Sequence, residues 1–241
     1  MNRKIYLLAA LLSSLLCTHT FADTVENTIR KNLTERLPQL PHIDEISKTP
    51  MNGLYELRID ETEIYYTDAE GNFLIQGNLM DTKSRKNLTE ERTDKLLAVS
   101  FDTLPVKDAF TIVRGTGKRR IAVFEDPNCG YCKKFEKDLQ KIDNVTIYLF
   151  LYPILSADSM DKSKNIWCGK DKSKTWQDWM VKGQTPAALT APCESSALQR
   201  NLEFGRKHKV NGTPTILLAD GTRVPGAIEA KELEKLLTDV K

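Results

Sequence analysis

The chain has 241 residues, of which 40% are hydrophobic and 28% are charged, a composition typical of a globular protein with one large domain or two modest ones. Its 35 basic residues nearly balance 33 acidic ones, which gives no support to a nucleic-acid-binding protein. The densest basic run, Lys118-Arg119-Arg120, is interpreted as the solvated start of a strand.

The first 22 residues have the features of a secretory signal peptide. Asn2-Arg3-Lys4 forms a basic head, Ile5–Leu16 is largely apolar, and Thr20-Phe21-Ala22 is typical of a cleavage site. The apolar segment is too short to span a bilayer stably. A lipidated Cys17 is disfavoured because the bulky Leu16 precedes it. We therefore expect residues 1–22 to be removed from an exported protein.

Residues 23–82 are predicted to form a small α+β domain. Val25, Ile29 and Leu33 recur at helical spacing, and Pro38 and Pro41 then interrupt the helix. Three runs that favour β-strands follow: Leu54–Asp60, Glu63–Thr67 and Asn72–Met80. A unit of this size has a small core and often needs a partner, so we expect a dimerisation domain.

Residues 83–105 are strongly charged and helix-prone. Asn87 is a plausible cap, and Leu96, Leu97 and Val99 follow before Pro105. This segment is interpreted as a linker helix. An ordinary peripheral helix of either domain is the alternative.

Residues 106–241 are predicted to form an α/β domain. Its predicted elements are strand Arg120–Phe124, helix Cys129–Gln140, strand Val145–Tyr152, a mostly helical stretch Ala157–Lys209, strands Thr215–Leu218 and Thr222–Val224, and helix Ala230–Val240. Asp220-Gly221 is a strong hairpin signal between the last two strands.

The motif Cys129-Gly130-Tyr131-Cys132 lies at the start of the first predicted helix of this domain. Two cysteines at this spacing can close and reopen a disulfide without moving the rest of the chain. Free backbone N–H groups and the helix dipole favour a thiolate at Cys129. A thiolate is the attacking species in disulfide exchange, which makes this pair the candidate reactive centre.

Removal of residues 1–22 leaves four cysteines: Cys129, Cys132, Cys168 and Cys193. An even number in an exported chain suggests pairing, and pairing of sequence neighbours is the simplest of three arrangements. A bond from Cys168 to Cys193 would contribute about 3 kcal/mol in the loop-entropy model. Zinc bound by all four cysteines is the disfavoured alternative, because zinc sites usually pair one such motif with another close pair. We expect no metal and no cofactor.

Several strings together resemble the thioredoxin fold and, within it, the DsbC-type periplasmic disulfide isomerases. They are Phe124-Glu-Asp-Pro-Asn-Cys-Gly-Tyr-Cys132, Ile166-Trp-Cys-Gly-Lys-Asp-Lys172, Asn211-Gly-Thr-Pro214, Gly221-Thr-Arg-Val-Pro-Gly226 and Leu74-Ile-Gln-Gly77. The resemblance covers essentially the whole chain after the signal peptide. It implies a C-terminal thioredoxin-like domain with a helical insertion, joined by the linker helix to a cystatin-like N-terminal dimerisation domain.

The resemblance also implies roles for single residues. Cys129 would be the exposed nucleophile that forms a mixed disulfide with substrate, and Cys132, shielded one turn into the helix, would resolve it. Gly130 and Tyr131 would tune the redox potential and cover the pair.

Two further features follow from the same resemblance. Thr213 and a cis-Pro214 would offer backbone hydrogen bonds to substrate beside the sulfurs. Cys168 and Cys193 would form the structural disulfide. Family members are V-shaped homodimers that act on misoxidised or unfolded exported proteins and are kept reduced by a membrane electron donor, a DsbD-like protein.

The chain departs from thioredoxin at one position. Thioredoxin has a buried acid six residues before its first cysteine, where this chain has Val123. Glu125 and Asp126 are nearer but are assigned to the turn. Proton transfer during resolution therefore has no obvious residue to perform it.

Three functions fit these observations. The leading interpretation is a periplasmic thiol:disulfide isomerase or reductase that works through Cys129 and Cys132. A disulfide-donating oxidase would use the same cysteines in oxidised form, but the dimerisation domain argues against it. A redox-independent holdase chaperone is the third hypothesis, and it would not require either cysteine.

Overall fold

The computed structural model describes residues 19–240, with side chains from residue 24 onward. Residues 1–18, which include most of the predicted signal peptide and Cys17, lie outside the described part. No helix within residues 19–240 is long and apolar enough to cross a membrane. The chain divides between Leu96 and Leu97 into two compact units.

The first unit combines two helices with a small antiparallel sheet. In chain order the elements are α1 (His19–Arg36), β1 (Ile43–Lys48), β2 (Tyr55–Ile59), β3 (Glu63–Thr67), β4 (Met80–Asp81), β5 (Lys86–Asn87) and α2 (Leu88–Leu97). The strands β1, β2 and β3 are adjacent in that order, and β4 pairs only with β5. The core consists of apolar side chains from α1 and the sheet: Ile29, Leu33, Ile43, Ile46, Leu57 and Ile59.

Strand β1 was not predicted from the sequence. A register shift between Ile43 and Glu45 puts Ile43 and Ile46 into the same core, although they are three residues apart. Such a bulge replaces the usual alternation of a strand with a spacing that resembles a helix. The end of α1 at Arg36, before Pro38, agrees with the predicted break, but no strand was assigned to the residues that follow.

The predicted strand Asn72–Met80 was also wrong for most of its length. Only Ile75 pairs within it, through an isolated antiparallel bridge to Tyr66, and β4 begins at Met80. Phe73 and Ile75 are exposed there. These two apolar side chains therefore lie on the surface and do not form the buried face of a strand.

Helix α2 is held to the first unit by polar contacts. The Thr89 and Tyr66 hydroxyl groups are 2.6 Å apart in a buried hydrogen bond. Arg92 forms ion pairs with Glu45 at 2.8 Å and Glu56 at 3.0 Å. Of the predicted linker helix, residues 83–105, only Leu88–Leu97 is α-helical.

The second unit is an α/β domain, as predicted. Two short 3₁₀ turns, Phe101–Thr103 and Val106–Asp108, precede β6 (Phe110–Arg114), β7 (Arg119–Glu125), α3 (Gly130–Leu139), β8 (Val145–Leu151), α4 (Ala157–Trp167), α5 (Lys172–Lys182), α6 (Ser196–Lys207), β9 (Thr215–Leu218), β10 (Arg223–Pro225) and α7 (Ala230–Asp239). The five-stranded sheet has the order β10-β9-β7-β8-β6. Only the β7–β8 pair is parallel, and the other pairs are antiparallel.

The central strand β7 is buried on both faces. Ile121 and Val123 belong to a core with side chains of α3, whereas Ala122 and Phe124 belong to a second core with Phe150. Apolar residues on both faces explain why this strand has a continuous hydrophobic sequence. The strand ends immediately before the turn that carries Cys129, so a rigid element positions that turn.

Two features of this unit were missed from the sequence. The edge strand β6 alternates buried Phe110 and Ile112 with exposed Thr111 and Val113, and the exposed valine conceals the alternation. The predicted helical stretch Ala157–Lys209 is three helices separated by irregular segments. Helix α5 ends at Gly183, whose φ of +71° suits a residue without a side chain.

Candidate active site

The two cysteines of the Cys129–Cys132 motif occupy different positions at the start of α3. Cys129 is the N-cap residue and has extended backbone angles, while Cys132 lies inside the first turn. The backbone N–H of Cys132 donates to Cys129 Sγ at 3.3 Å. A helix N-terminus thus directs an otherwise free donor at one sulfur, as the sequence predicts.

The site lowers the pKa of Cys129 to about 5. The largest cause is a hydrogen bond from the Cys132 side chain, and the Thr213 side chain and the backbone N–H groups of Cys132 and Tyr131 add to it. Burial opposes these effects but does not outweigh them. At neutral pH Cys129 is therefore a thiolate, the form that attacks disulfides.

Cys132 has the opposite environment. Its side chain is fully buried, and burial raises the pKa of its thiol far above the ordinary value. The hydrogen bond with the Cys129 side chain raises this pKa further, and so does repulsion by the neighbouring Glu125 carboxyl group whenever that group is ionised. Cys132 therefore stays a thiol at neutral pH until a proton acceptor removes its proton.

The expected exposure of Cys129 was wrong in degree. Only 5% of Cys129 is exposed, against 0% of Cys132, whereas Tyr131 between them is 71% exposed. The Cys129 sulfur also lies 3.3 Å from the backbone carbonyl oxygen of Thr213, so this loop covers part of the sulfur. Gly130 is exposed on the same turn as Tyr131.

The loop before β9 is distant from Cys129 in the sequence but contacts the Cys129 sulfur. The Thr213–Pro214 peptide bond is cis, and Thr213 contacts Cys129 through its carbonyl oxygen. The structure thus brings Thr213 to the reactive pair, although 84 positions separate it from Cys129 in the chain.

Cys168 and Cys193 are joined by a disulfide with a Cα–Cα distance of 6.1 Å. Cys168 is the C-cap of α4, and Cys193 lies in the irregular segment before α6. This bond fixes the helical insertion that follows β8. Among the described residues, Cys129 and Cys132 are the free cysteines.

The turn before Cys129 is held by the carboxyl group of Asp126 and by the indole of Trp179. Asp126 is buried and accepts hydrogen bonds from the backbone N–H groups of Asn128 at 2.8 Å and Leu155 at 3.0 Å. Trp179 Nε1 donates to the Pro127 carbonyl at 2.6 Å. The Asp-Pro-Asn sequence signals a turn, but nothing local indicates that Trp179 of α5 reaches it.

The assignment of Glu125 to the turn was wrong. Glu125 is the last residue of β7 and is fully buried, and Glu136 of α3 is fully buried as well. Trp176 Nε1 donates to Glu136 Oε1 at 2.7 Å. Alternation from Ile121 and Val123 along β7 could have indicated that Glu125 faces α3.

No group of three or more His, Cys, Asp or Glu side chains within residues 24–240 is arranged to hold a metal ion. The chemistry that the arrangement supports comes from its two sulfurs. A stabilised thiolate beside a buried thiol can form, and then release, a mixed disulfide.

Two family models match the chain. Residues 106–241 match a model described as a thioredoxin-like domain, and residues 20–90 match one described as the N-terminal domain of the disulfide bond isomerase protein. Together these models cover both structural units.

The names of proteins with similar sequences agree with these two family models. The chain is 46% identical over 215 residues to the probable thiol:disulfide interchange protein DsbC of Bordetella parapertussis, covering 89% of this chain and 75% of that protein. It is 29% identical over 200 residues to the thiol:disulfide interchange protein DsbC of Escherichia coli, covering 81% of each. A crystal structure of a disulfide interchange protein from Neisseria gonorrhoeae is 34% identical, with a TM-score of 0.54 over 57% of this chain and 98% of that one.

Proposed function

The chain belongs to the DsbC family of thiol:disulfide isomerases, and on this premise we propose that it repairs wrongly paired disulfides through Cys129 and Cys132. The observation that carries the proposal is the contrast between the two sulfurs: one has a pKa of about 5, and the other is a fully buried thiol. Such a pair attacks readily but does not close until a substrate is attached.

In the proposed first step, the Cys129 thiolate attacks one sulfur of a substrate disulfide. A bond forms between Cys129 Sγ and that sulfur, and the other substrate sulfur leaves as a thiolate. The released thiolate can then attack a different position of the substrate, which isomerises its disulfides without net oxidation. The pKa of about 5 keeps Cys129 reactive and also makes it a good leaving group.

In the proposed second step, Cys132 resolves mixed disulfides that the substrate does not release. It attacks Cys129 Sγ, forms the Cys129–Cys132 disulfide and leaves the substrate sulfur reduced. We propose that Gly130 and Tyr131 tune the stability of this disulfide, since the N–H of Tyr131 stabilises the Cys129 thiolate.

We assign Thr213 and Pro214 to substrate binding. The Thr213 carbonyl lies 3.3 Å from Cys129 Sγ, so a substrate segment attached at this sulfur must pass along the loop. Extended peptides commonly bind through main-chain hydrogen bonds to an exposed edge, which suits misoxidised or unfolded proteins of any sequence.

We propose that the first unit joins two copies of the chain in a homodimer. Phe73 and Ile75, which follow strand β3, and Met80 at the start of β4 are exposed, with exposed fractions of 68%, 48% and 52%. Among residues 19–240, only Ile75 pairs with the sheet beyond β3, so this edge can accept further strand pairing. A two-fold symmetric pair would cover the same apolar residues on both copies.

We place the protein in the periplasm, where exported proteins acquire disulfides, with residues 1–22 as its signal peptide. Isomerase action requires a reduced Cys129–Cys132 pair in that oxidising compartment. A membrane electron donor of the DsbD type is therefore proposed as the second partner.

The experiment that tests the function is refolding of a secreted enzyme with scrambled disulfides. The wild-type protein in reduced form should restore its activity, and Cys129→Ser should not. Cys132→Ser should accumulate mixed disulfides that are visible on non-reducing gels. Full activity of Cys129→Ser would contradict the nucleophile assignment and favour the holdase hypothesis.

The state of the pair in cells distinguishes isomerase from oxidase. Acid quenching followed by alkylation should find Cys129 and Cys132 reduced while Cys168 and Cys193 are oxidised. An oxidised Cys129–Cys132 pair would instead indicate an oxidase.

A further inference from the structure

Glu125 and Glu136 form a pair of buried carboxyl groups beneath the reactive motif. Ile121, Val123 and Glu125 alternate along β7, and the first two pack in the same core as α3. Glu136 follows Cys132 by four residues on α3, so the two share one buried helix face. The strand thus brings the Glu125 carboxyl group to the Cys132 thiol, and the helix places the Glu136 carboxyl group beside Glu125.

Neither carboxyl group is neutralised by a close partner of its own. Within residues 24–240 both oxygens of Glu125 and Oε2 of Glu136 are buried without a hydrogen-bond partner. A buried, unsatisfied carboxylate is costly, and two adjacent ones cannot both be charged. A pair in this setting therefore retains protons that exposed carboxyl groups would lose.

The groups that face the pair come from three elements besides β7. Cys129 and Cys132 of α3 face Glu125, and Glu136 contacts the indole N–H of Trp176 from α5. Arg114 at the end of β6 favours the charged form of Glu136 electrostatically.

These surroundings have different effects on the pKa values of the two carboxyl groups. Burial raises the pKa of both, and the neighbouring Glu136 raises the pKa of Glu125 further. The Trp176 N–H and the charge of Arg114 oppose this effect only at Glu136. A proton shared by the pair is therefore held more firmly by Glu125, and a negative charge is better tolerated on Glu136.

We propose that the Glu125–Glu136 pair is the proton acceptor for Cys132 when it resolves the mixed disulfide. The Cys132 thiol gives its proton to Glu125, and Glu125 passes its own proton to Glu136. The Cys132 thiolate then attacks Cys129 Sγ, the Cys129–Cys132 bond forms, and the bond from Cys129 to substrate breaks. The electron pair leaves with the substrate sulfur, and the carboxyl pair ends with two protons and no charge.

This proposal rests on the proposed function and deepens it, since it concerns only the second step. A role as proton acceptor also explains why two carboxyl groups are buried at this position. A thiol that is 0% exposed has no water at hand to take its proton, so an internal acceptor is needed.

The test separates the two steps of one turnover. Reduced protein is mixed with the symmetrical disulfide of a short cysteine peptide, quenched with acid at increasing times and analysed by mass spectrometry. Appearance of the mixed disulfide reports attack by Cys129, and its decay reports resolution by Cys132.

Glu125→Gln keeps the shape of the side chain but removes the acid. It should leave the first step unchanged and slow the second at neutral pH by about a hundredfold or more, the lower end of the range for general acid–base catalysis. The second step should then rise in proportion to hydroxide concentration, because only solvent base remains. Glu125→Asp should restore the wild-type shape of the pH profile, whereas a purely structural role would favour Gln over Asp.

Asp138→Asn supplies the control, since Asp138 lies on the same helix but pairs with Lys141 at 2.6 Å. It should change neither step. An unchanged second step in Glu125→Gln would overturn the proposal. Failure of the first step in the wild-type protein would overturn the proposed function instead, so the two failures are distinguishable.

A measurement on the wild-type protein covers the case in which the variants do not fold. Carbon-13 NMR of protein labelled at glutamate side chains should show one carboxyl group still protonated at neutral pH. Ionisation of every glutamate in the ordinary acidic range would contradict the proposal.

Discussion

At the scale of single residues, the site depends on two cysteines that are three positions apart and have opposite ionisation behaviour. The N-cap position gives Cys129 hydrogen-bond donors, and the first helical turn buries Cys132. Much of the asymmetry follows locally from where the helix begins, and the contact with Thr213 and the burial of Cys132 in the folded domain add to it.

The first prediction concerns the reactivity of Cys129. Because its pKa is lowered to about 5, its alkylation rate should fall as the pH drops through about 5 and be nearly constant at neutral pH. Cys132→Ala removes the largest stabilising hydrogen bond and should move this midpoint to higher pH. Alkylation with iodoacetamide, followed by mass spectrometry, gives both profiles.

Cys129→Ser is the control for this experiment. It should show no alkylation near neutral pH, because Cys132 is buried as a thiol and Cys168 and Cys193 are bonded to each other. A midpoint near the ordinary cysteine value in the wild-type protein would contradict the prediction.

At the scale of elements, the helical insertion supports the active-site turn. Trp179 of α5 donates to the Pro127 carbonyl, and its ring lies 3.9 Å from Lys133 Nζ at the start of α3. Trp176 on the same helix holds Glu136. Helix α5 therefore contacts both the turn before the reactive pair and the carboxyl group behind it.

The second prediction tests this support with two tryptophans of the insertion. Trp179→Phe should lower the free energy of unfolding by about 1–3 kcal/mol, because it loses a hydrogen bond and leaves a void. It should also slow alkylation of Cys129, because the turn before Cys129 loses the hydrogen bond that Trp179 donates to it. Urea denaturation and the alkylation rate measure the two effects.

Trp167→Phe is the matched control. Trp167 also donates its indole N–H to a backbone carbonyl, that of Glu194, and also has a lysine, Lys172, over its ring. It should cost similar stability but leave the reactivity of Cys129 unchanged. Equal effects of both variants on reactivity would show that the support is not specific to Trp179.

The third prediction concerns the structural disulfide. Replacing both Cys168 and Cys193 by Ala should lower the free energy of unfolding by about 3 kcal/mol in the loop-entropy model. Thermal unfolding of oxidised wild type and of the variant gives this difference. A change below the experimental error would mean that the loop is already ordered in the unfolded chain.

At the scale of the whole molecule, the two units have different surfaces. The first unit has a small core and exposes Phe73, Ile75 and Met80. The second has the larger core and contains the reactive pair. A small unit with apolar surface gains most from association, which is the physical basis for assigning dimerisation to it.

The fourth prediction follows from this assignment. Phe73→Asp should shift the protein from dimer to monomer in sedimentation equilibrium, because a charge would be buried at the interface. Val113→Asp is the control: Val113 is 60% exposed but belongs to the second unit, and its variant should remain dimeric. A wild-type protein that sediments as a monomer would refute the homodimer directly.

Local sequence determined much of this protein. The strand–turn–helix around Cys129 was predicted within one or two residues, because β7 is a continuous apolar run and α3 has clear helical spacing. Strands β3 and β9 were predicted with their observed bounds. The position of Cys129 at a helix N-terminus, and thus part of the lowering of its pKa, follows from the same local pattern.

Other features depend on tertiary structure, and the local spacing of residues did not predict them. A bulge concealed β1, and an exposed Val113 concealed β6. The approach of Trp179 to Pro127 depends on how helices pack across dozens of intervening residues. The pairing of Glu125 with Glu136 needed the strand face and the helix face to be set against each other, and burial then changed their acidity. A sequence specifies which groups are present, but the free energy of each charge depends on what surrounds it after folding.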